Sequence, residues 1–478
     1  MFSRRGEDRF DLVVIGLGSG GLPAARFALE MGLRVAAVER DRVGGDCLWT
    51  GCVPSKALLA SAKVAHHLRH ADRWGLPPRD GAFDTAAVWA RVRAVQEAIA
   101  TTDDSPEPLL GRGLVLHRGE PRLTGPREVT VGEHRLATRF VLLASGSRPA
   151  VPPLEGLEAA APLTSDTVWD LERAPESLVV VGGGPIAVEL AQALTRLGTR
   201  VTVLQKGPRL LAREEPSVVA RLRAVLEAEG VEIVEEVTTT RVERRGPEKV
   251  VHGEHRGRAG AWSGAEVLVA TGRRPNVEGL GLEELGVELS PRGVVVDERM
   301  RSSVPTVYAA GDVAGRFLFT HSATHEGIRA VRDMFFPGKG TVATQTPWCT
   351  FTDPELARVG LTEAEARDRG GDVAVFERTL GHSDRARAEG AEEGTVRIVT
   401  DGGRIVGAHI LAPAAGELVA ELALAMDQDL PLARLARVVH AYPTVASTVA
   451  ELAAEAVYDS ARRLRWLVRV PGVGRILG

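Results

Sequence analysis

One plan occurs twice in this chain, and it constrains the fold more than any other feature. Residues 11–40 read "DLVVIGLGSGGLPAARFALEMGLRVAAVER" and residues 178–206 read "LVVVGGGPIAVELAQALTRLGTRVTVLQK". Each is an apolar run, a glycine turn, a helical stretch and a second apolar run. Strands alternating with helices in this order give parallel sheets with crossover helices, so the expectation is two dinucleotide-binding domains of the doubly wound type. The remainder reads differently. Residues 54–104 are helical in character, and residues 111–148 look like short strands and turns. From about residue 345, "TVRIVTDGGRIVGAHIL" reads as strands, and "AGELVAELALAMDQ" and "TVASTVAELAAEAVYDSA" read as helices, which predicts a separate α+β domain. The fold class is therefore α/β, with two Rossmann-like domains and a C-terminal α+β domain. The expected bounds are 1–149 and 276–344 for the first domain in two parts, 150–275 for the second, and 345–478 for the last.

A length of 478 residues exceeds what one core usually organises, and 44% hydrophobic content supplies several. The net charge of -4 gives no electrostatic case for nucleic acid as a partner. The N-terminal "MFSRRGEDRFDLVVIG" meets charged residues before any apolar stretch, unlike a secretory signal, and no run of 18 apolar residues follows anywhere. Three cysteines are too few for a structural disulfide framework in so long a chain. The cytoplasm is the expected location.

The two glycine turns differ at one position. Gly16, Gly18 and Gly21 have G-x-G-x-x-G spacing, follow "DLVVI", open a helix, and are answered by Glu39 at the end of the next strand. Gly16 permits the turn, Gly18 admits a pyrophosphate, and Gly21 lets the helix pack closely. A carboxylate at the Glu39 position hydrogen-bonds a free ribose 2′-hydroxyl. The second turn carries Gly182, Gly184 and Ala187, and the position matching Glu39 is Gln205. A neutral Gln205 followed by Lys206, with Arg209 close in sequence, accepts a 2′-phosphate, which favours NADPH, with NADH possible. The plainer reading makes Lys206 and Arg209 part of a solvated loop.

Cys47 and Cys52, in "GGDCLWTGCVPSKALLASAK", admit three readings: a redox disulfide, half a metal site, or two unrelated thiols. No His/Cys cluster supplies further zinc ligands. A disulfide between near neighbours closes a small loop, so it forms and breaks at little structural cost. Pro54 suits the first position of a following helix, which sets Cys52 at a helix N-terminus where the dipole favours a thiolate.

Behind the first nucleotide turn, "GGDCLWTGCVPSK" resembles the active-site signature of the class I flavoprotein disulfide reductases, the family of dihydrolipoamide dehydrogenase, glutathione reductase and mercuric reductase. The resemblance spans nearly the whole chain through "VLLASGSRP", "VLVATGRRPN", "VYAAGDVAG" and "FTDPELARVGLTEAEA". It implies a homodimer with FAD. It makes Cys52 the charge-transfer thiol and Cys47 the interchange thiol, with Lys56 by the flavin and ion-paired to Glu189. Asp312 would hold the ribityl chain and Gly272 would border the nicotinamide nucleotide. Ser19, Gly45, Ser145 and Gly146 would line the cofactor sites. Taken singly, Lys56 reads as a surface lysine and Asp312 as a turn residue. Electrons would pass from nicotinamide to flavin, then to the disulfide, then to an acceptor.

The chain departs from the thiol-reducing members where they carry a histidine before Pro-Thr and a glutamate five residues later. Here "VVHAYPTVASTVAEL" puts Tyr442 and Ser447 at those positions. His440 stands two residues earlier, faces the opposite way in an extended segment, and reads more plainly as a structural histidine. Tyrosine, with an ordinary pKa near 10, is a poor base at neutral pH but donates a proton or hydrogen bond. The expected acceptor is therefore a non-thiol, such as a quinone or a mercuric ion. Mercuric reductase shares the missing histidine, yet it normally ends in a vicinal cysteine pair and often has an N-terminal metal-binding domain, and neither is expected here. Pro185 stands where relatives often carry an aromatic gate, and Cys349 beside Trp348 reads as core packing. Two alternatives stand beside this reading: a dihydrolipoamide dehydrogenase, and a redox-responsive binding component. The segment 460–478 is arginine-rich with interspersed apolar residues, and reads either as a helix docking on the partner subunit or as a peripheral membrane contact.

Overall fold

In the computed structural model of the chain, the described residues are 8–338, 341–342 and 345–463. Of the arginine-rich segment 460–478, which reads as a docking helix or a lipid contact, residues 464–478 lie outside them. The chain divides into two compact units, one of residues 1–65, 81–206 and 236–344, the other of residues 66–80, 207–235 and 345–478.

The first unit is built on two sheets of parallel strands. Strand Asp8–Ile15 pairs in parallel with Val35–Glu39 on one side and His134–Leu143 on the other. Leu12, Val13, Val14 and Ile15 are at most 2% exposed, as befits a strand covered on both faces. Burial of each such side chain contributes roughly 1.5–3 kcal/mol. Val115–Arg118 extends the sheet beyond Val35–Glu39. Strand Val307–Ala309 joins His134–Leu143 in parallel, so the chain returns to finish its first sheet after building the second. On that side the sheet continues antiparallel through Glu128–Val131 and Pro121–Gly125.

Helix Gly21–Glu30 follows the first strand and can lie against it only because Gly21 has no side chain: a Cβ there would sit 1.9 Å from the Gly16 carbonyl oxygen. The second parallel set, Arg200–Leu204, Ser177–Val181 and Glu266–Val269, is crossed by helix Pro185–Leu197, which Gly198 ends in the left-handed conformation. An antiparallel meander, Val237–Arg245, Glu248–His255 and Arg258–Gly264, is inserted before Glu266–Val269. The segment expected to be helical from 54 to 104 forms helices Cys52–Arg69 and Thr85–Ala100, the second capped by the Asp84 side chain.

In the second unit a five-stranded antiparallel sheet runs Trp348–Thr350, Glu355–Gly360, Arg404–Ala412, Thr395–Asp401, Val373–Thr379. Helices Ala415–Asp427 and Ser447–Arg463 contribute Val419, Leu422, Leu452 and Ala453 to its core. This is the α+β arrangement read from the sequence. No described helix is long and apolar enough to cross a membrane.

Candidate active site

Cys47 lies in the short helix Gly45–Trp49, and Cys52 is the first residue of helix Cys52–Arg69. The helix starts two residues before the Pro54 position expected to open it. The missing proline N–H costs nothing anywhere in a first turn, where N–H groups have no helical partner. Cys52 is at the N-terminus either way. Both cysteines are thiols, Cys47 half-buried and Cys52 exposed, and their sulfurs are hydrogen-bonded to each other.

The pair splits its proton affinity. The Cys47 hydrogen bond brings the Cys52 thiol down to about 6 against the opposing effect of burial, and Thr320 and the Lys56 charge lower it further. Cys47, which donates that bond and is also desolvated, is pushed up. One thiolate shared by two sulfurs is thereby located mainly on Cys52. Lys56 stands one helical turn beyond Cys52, and its Nζ is 2.8 Å from Glu189 Oε2, on helix Pro185–Leu197. The Lys56–Glu189 pairing implied by the resemblance is present as a contact.

Two hydroxyls also reach the sulfurs. Thr320, first residue of helix Thr320–Phe335, has its Oγ1 3.4 Å from Cys52 Sγ, and the Ser19 side chain hydrogen-bonds Cys47. Ser19 was expected to line a cofactor, and Thr320 was not anticipated at all. It stands 268 residues from Cys52, and no spacing rule links the two. Arg273 was also missed, in the same "ATGRRPN" segment that supplied Gly272. Its guanidinium lies 3.0 Å from Asp46, 2.7 Å from the Ser147 hydroxyl and 3.5 Å from Asp312. Asp46 directly precedes Cys47, so this arginine ties the redox helix to the Asp312 turn. Burial raises the Asp312 carboxyl, while Ser147 and Arg273 hold it down. Trp169 adds a bond from its indole N–H to the Thr50 carbonyl, 2.8 Å away, bracing the link between the two cysteines.

The remaining predicted residues gather at the two glycine turns. Gly16 has φ +92°, and a Cβ there would lie 2.4 Å from the Ala144 oxygen. The Glu39 carboxylate accepts from the Leu17 and Asp41 backbone N–H groups at 2.7 and 2.9 Å, so it faces the turn as its position predicted. Ser145 donates to the Asn276 carbonyl at 2.8 Å, Asn276 N–H donates to the Gly146 carbonyl at 3.0 Å, and Ala150 N–H donates to the Gly272 carbonyl at 2.9 Å. These bonds bring Ser145, Gly146 and Gly272 together. Gly182 repeats the Gly16 arrangement with φ +122°, Gly184 caps helix Pro185–Leu197, and Ala187 is fully buried in it.

Gln205 directly follows strand Arg200–Leu204, its carbonyl accepting from Val237 N–H at 2.9 Å, and Lys206 is exposed. Arg209 falls in the second unit, where its guanidinium donates to the Ala212 carbonyl at 2.8 Å. These residues fit an FAD at the first turn and a nicotinamide nucleotide at the second. A Cβ at Gly18 would come no closer than 3.6 Å to the chain beside Gly45, and one at Gly146, Gly184 or Gly272 would meet no atom within 4 Å. The backbone is therefore open to a phosphate at a helix N-terminus.

In the second unit, Tyr442 is 74% exposed and its hydroxyl donates to Asp384, which raises the phenol above its ordinary range. His440 has Nε2 3.0 Å from Glu421 Oε1 and Nδ1 3.2 Å from the Val438 carbonyl. Both ring nitrogens face acceptors, the arrangement of a structural histidine. Ser447 donates to the Thr444 carbonyl at 2.7 Å. Cys349 is half-buried in strand Trp348–Thr350 and packs against the core of this unit.

The sequence profile of the pyridine nucleotide-disulphide oxidoreductases matches residues 10–327, and that of their dimerisation domain matches residues 346–453. Over 470 residues, 95% of this chain and 98% of the other, the sequence is 38% identical to a dihydrolipoyl dehydrogenase of Thermus scotoductus. It is 35% identical to a mercuric reductase of Acidithiobacillus ferrooxidans, covering 91% of this chain and 80% of that one. The fold matches a Cu(II) complex of a mutant of RclA, an HOCl-induced flavoprotein disulfide reductase of Escherichia coli, with a TM-score of 0.84, 24% identity, and coverage of 93% and 99%. The redox signature, both nucleotide turns and the C-terminal domain thus agree, and the chain belongs to the class I pyridine nucleotide-disulphide oxidoreductases.

Proposed function

We propose that this protein is an NADPH-dependent FAD reductase whose electrons leave through Cys47 and Cys52, or directly from the flavin, to an acceptor that is not a thiol. The family implies FAD and a nicotinamide nucleotide, and its dimerisation domain implies a homodimer. FAD, when bound, takes hydride from the nicotinamide nucleotide and passes two electrons onward. The glycine turns bind the two nucleotides. Lys56, fixed by Glu189, sets a positive charge one turn from Cys52, and Cys47 presents the outward sulfur. NADPH is favoured by neutral Gln205 followed by exposed Lys206.

The observation that carries the non-thiol acceptor is at Tyr442. A dithiol or disulfide substrate needs a base to exchange protons with Cys47, and the position that supplies it in thiol-reducing relatives holds a phenol whose O–H is held in a hydrogen bond to Asp384. A quinone accepts electrons without that base, and a soft metal ion binds thiolates directly. Cys47 and Cys52 are the soft ligands this reading offers a mercuric ion.

Steady-state NADPH oxidation with a quinone, Hg(II) and lipoamide in parallel tests this. Turnover of the first or second at least about 100-fold above lipoamide is expected, the usual contribution of a positioned base. Efficient dihydrolipoamide oxidation overturns it and supports the second reading, dihydrolipoamide dehydrogenase, which the 38%-identical relative's name favours. A reducible disulfide without turnover of any acceptor supports a redox-responsive binding component instead. Anaerobic titration with NADPH and then NADH decides the cofactor. Peripheral attachment to anionic lipid through residues 460–478 is checked by liposome co-sedimentation with and without that segment, and equal partitioning overturns it.

A further inference from the structure

We propose that the Thr320 hydroxyl is a catalytic group of this enzyme: it donates a hydrogen bond to the Cys52 sulfur and holds the negative charge there when the disulfide is open. The proposal rests on the Cys47–Cys52 pair cycling between disulfide and dithiol. Two-electron reduction, with the nicotinamide nucleotide as electron source, breaks the S–S bond. With uptake of one proton it leaves a thiol on Cys47 and a thiolate on Cys52. That thiolate needs donors, because a sulfur anion stays unprotonated near neutral pH only where hydrogen bonds and positive charge favour it.

Two donors and one positive charge act on it. Cys47 S–H provides the first hydrogen bond, Thr320 Oγ1 the second at 3.4 Å, within the range of a bond to sulfur, and Lys56 provides charge at one turn's distance. The hydroxyl is committed to this task. A threonine in a first helical turn often bonds back to a carbonyl of the preceding chain, yet among the described residues the only hydrogen-bond partners recorded for the Thr320 hydroxyl are the two redox sulfurs. Its backbone position also matters. Cys52 is the first residue of an 18-residue helix and Thr320 the first of a 16-residue helix, so two helix N-termini meet at one sulfur. The hydroxyl can serve no proton-accepting role at neutral pH. It stabilises the anion without abstracting a proton, which suits a site that reduces its acceptor from a thiolate and lacks a histidine base.

The test compares Thr320→Val, which keeps the shape and removes the hydroxyl, with Thr320→Ser, which keeps the hydroxyl. Each holoenzyme is reduced anaerobically and its thiolate-to-flavin charge-transfer absorbance is followed against pH. The parental midpoint is expected near 6. Thr320→Val moves it up by about one pH unit or more, the usual worth of a hydrogen bond to a charged group, and Thr320→Ser stays within a few tenths of the parent. An unchanged midpoint in Thr320→Val overturns the proposal, as does an equal shift in both variants, which would make the effect one of packing. Absence of the band from the parental enzyme overturns the redox cycle itself rather than the role of Thr320. If Thr320→Val retains no flavin, Thr320→Ser and Thr320→Ala are compared by the rate of iodoacetamide labelling at Cys52 against pH. An identical pH profile for these two then sinks the proposal.

Discussion

Cys52 and Lys56 occupy successive turns of one helix, and their chemistry depends on a third residue, Glu189, brought from another. The Cys52 thiol sits at about 6, below the ordinary thiol value near 8.5. Stability gained from the lowered pKa is complete above the ordinary value and is lost as pH falls through about 6, where the thiolate protonates. The two partners of the ion pair act on it in opposite directions. Lys56 lowers the Cys52 pKa and Glu189 raises it, so Lys56→Met is expected to move the charge-transfer midpoint up and Glu189→Gln to move it down. Their effects on stability are unequal as well. The Glu189 side chain is 7% exposed and that of Lys56 34%, so Lys56→Met takes the ammonium away from a buried carboxylate and costs about 1–3 kcal/mol, with a lower thermal midpoint. Glu189→Gln leaves an ammonium that can turn to water and costs less.

Among the elements, the strand–turn–helix joint is the one the sequence specifies most tightly. Gly16 combines φ +92° with a neighbour 2.4 Å from any added Cβ, so Gly16→Ala forces the turn open and is expected to yield protein with little bound flavin. Gly32, at φ +75° but with nothing within 4 Å, makes the control: Gly32→Ala should cost roughly 1 kcal/mol and retain flavin. Equal flavin content in the two variants would show that left-handed backbone alone, not close approach, demands the glycine. The same element scale explains the Pro54 difference. Proline marks the neighbourhood of a helix start but not its first residue, since every position in the first turn tolerates it.

For the whole molecule, the proposed preference for a non-thiol acceptor rests on residues from the far end of the chain. Under the proposed function, installing Tyr442→His together with Ser447→Glu is expected to raise lipoamide turnover by about 100-fold or more, the usual contribution of a positioned base. No gain, with the fold intact, would place the block to thiols elsewhere. Light scattering should give twice 51.0 kDa, as the dimerisation domain implies. The sequence by itself determined the two nucleotide folds, the close cysteine pair and the α+β domain. Glycine turns, apolar periodicity and a cysteine spacing of five positions are local patterns, and local patterns are written in neighbouring residues. Tertiary structure alone decided the contacts that tune them. Thr320 meets Cys52 across 268 positions, Arg273 reaches Asp46, Glu421 pairs with His440, and Asp384 accepts the Tyr442 hydrogen bond. Each is a pairing between ordinary polar residues with no spacing rule, fixed only when the core brings distant segments within hydrogen-bond reach.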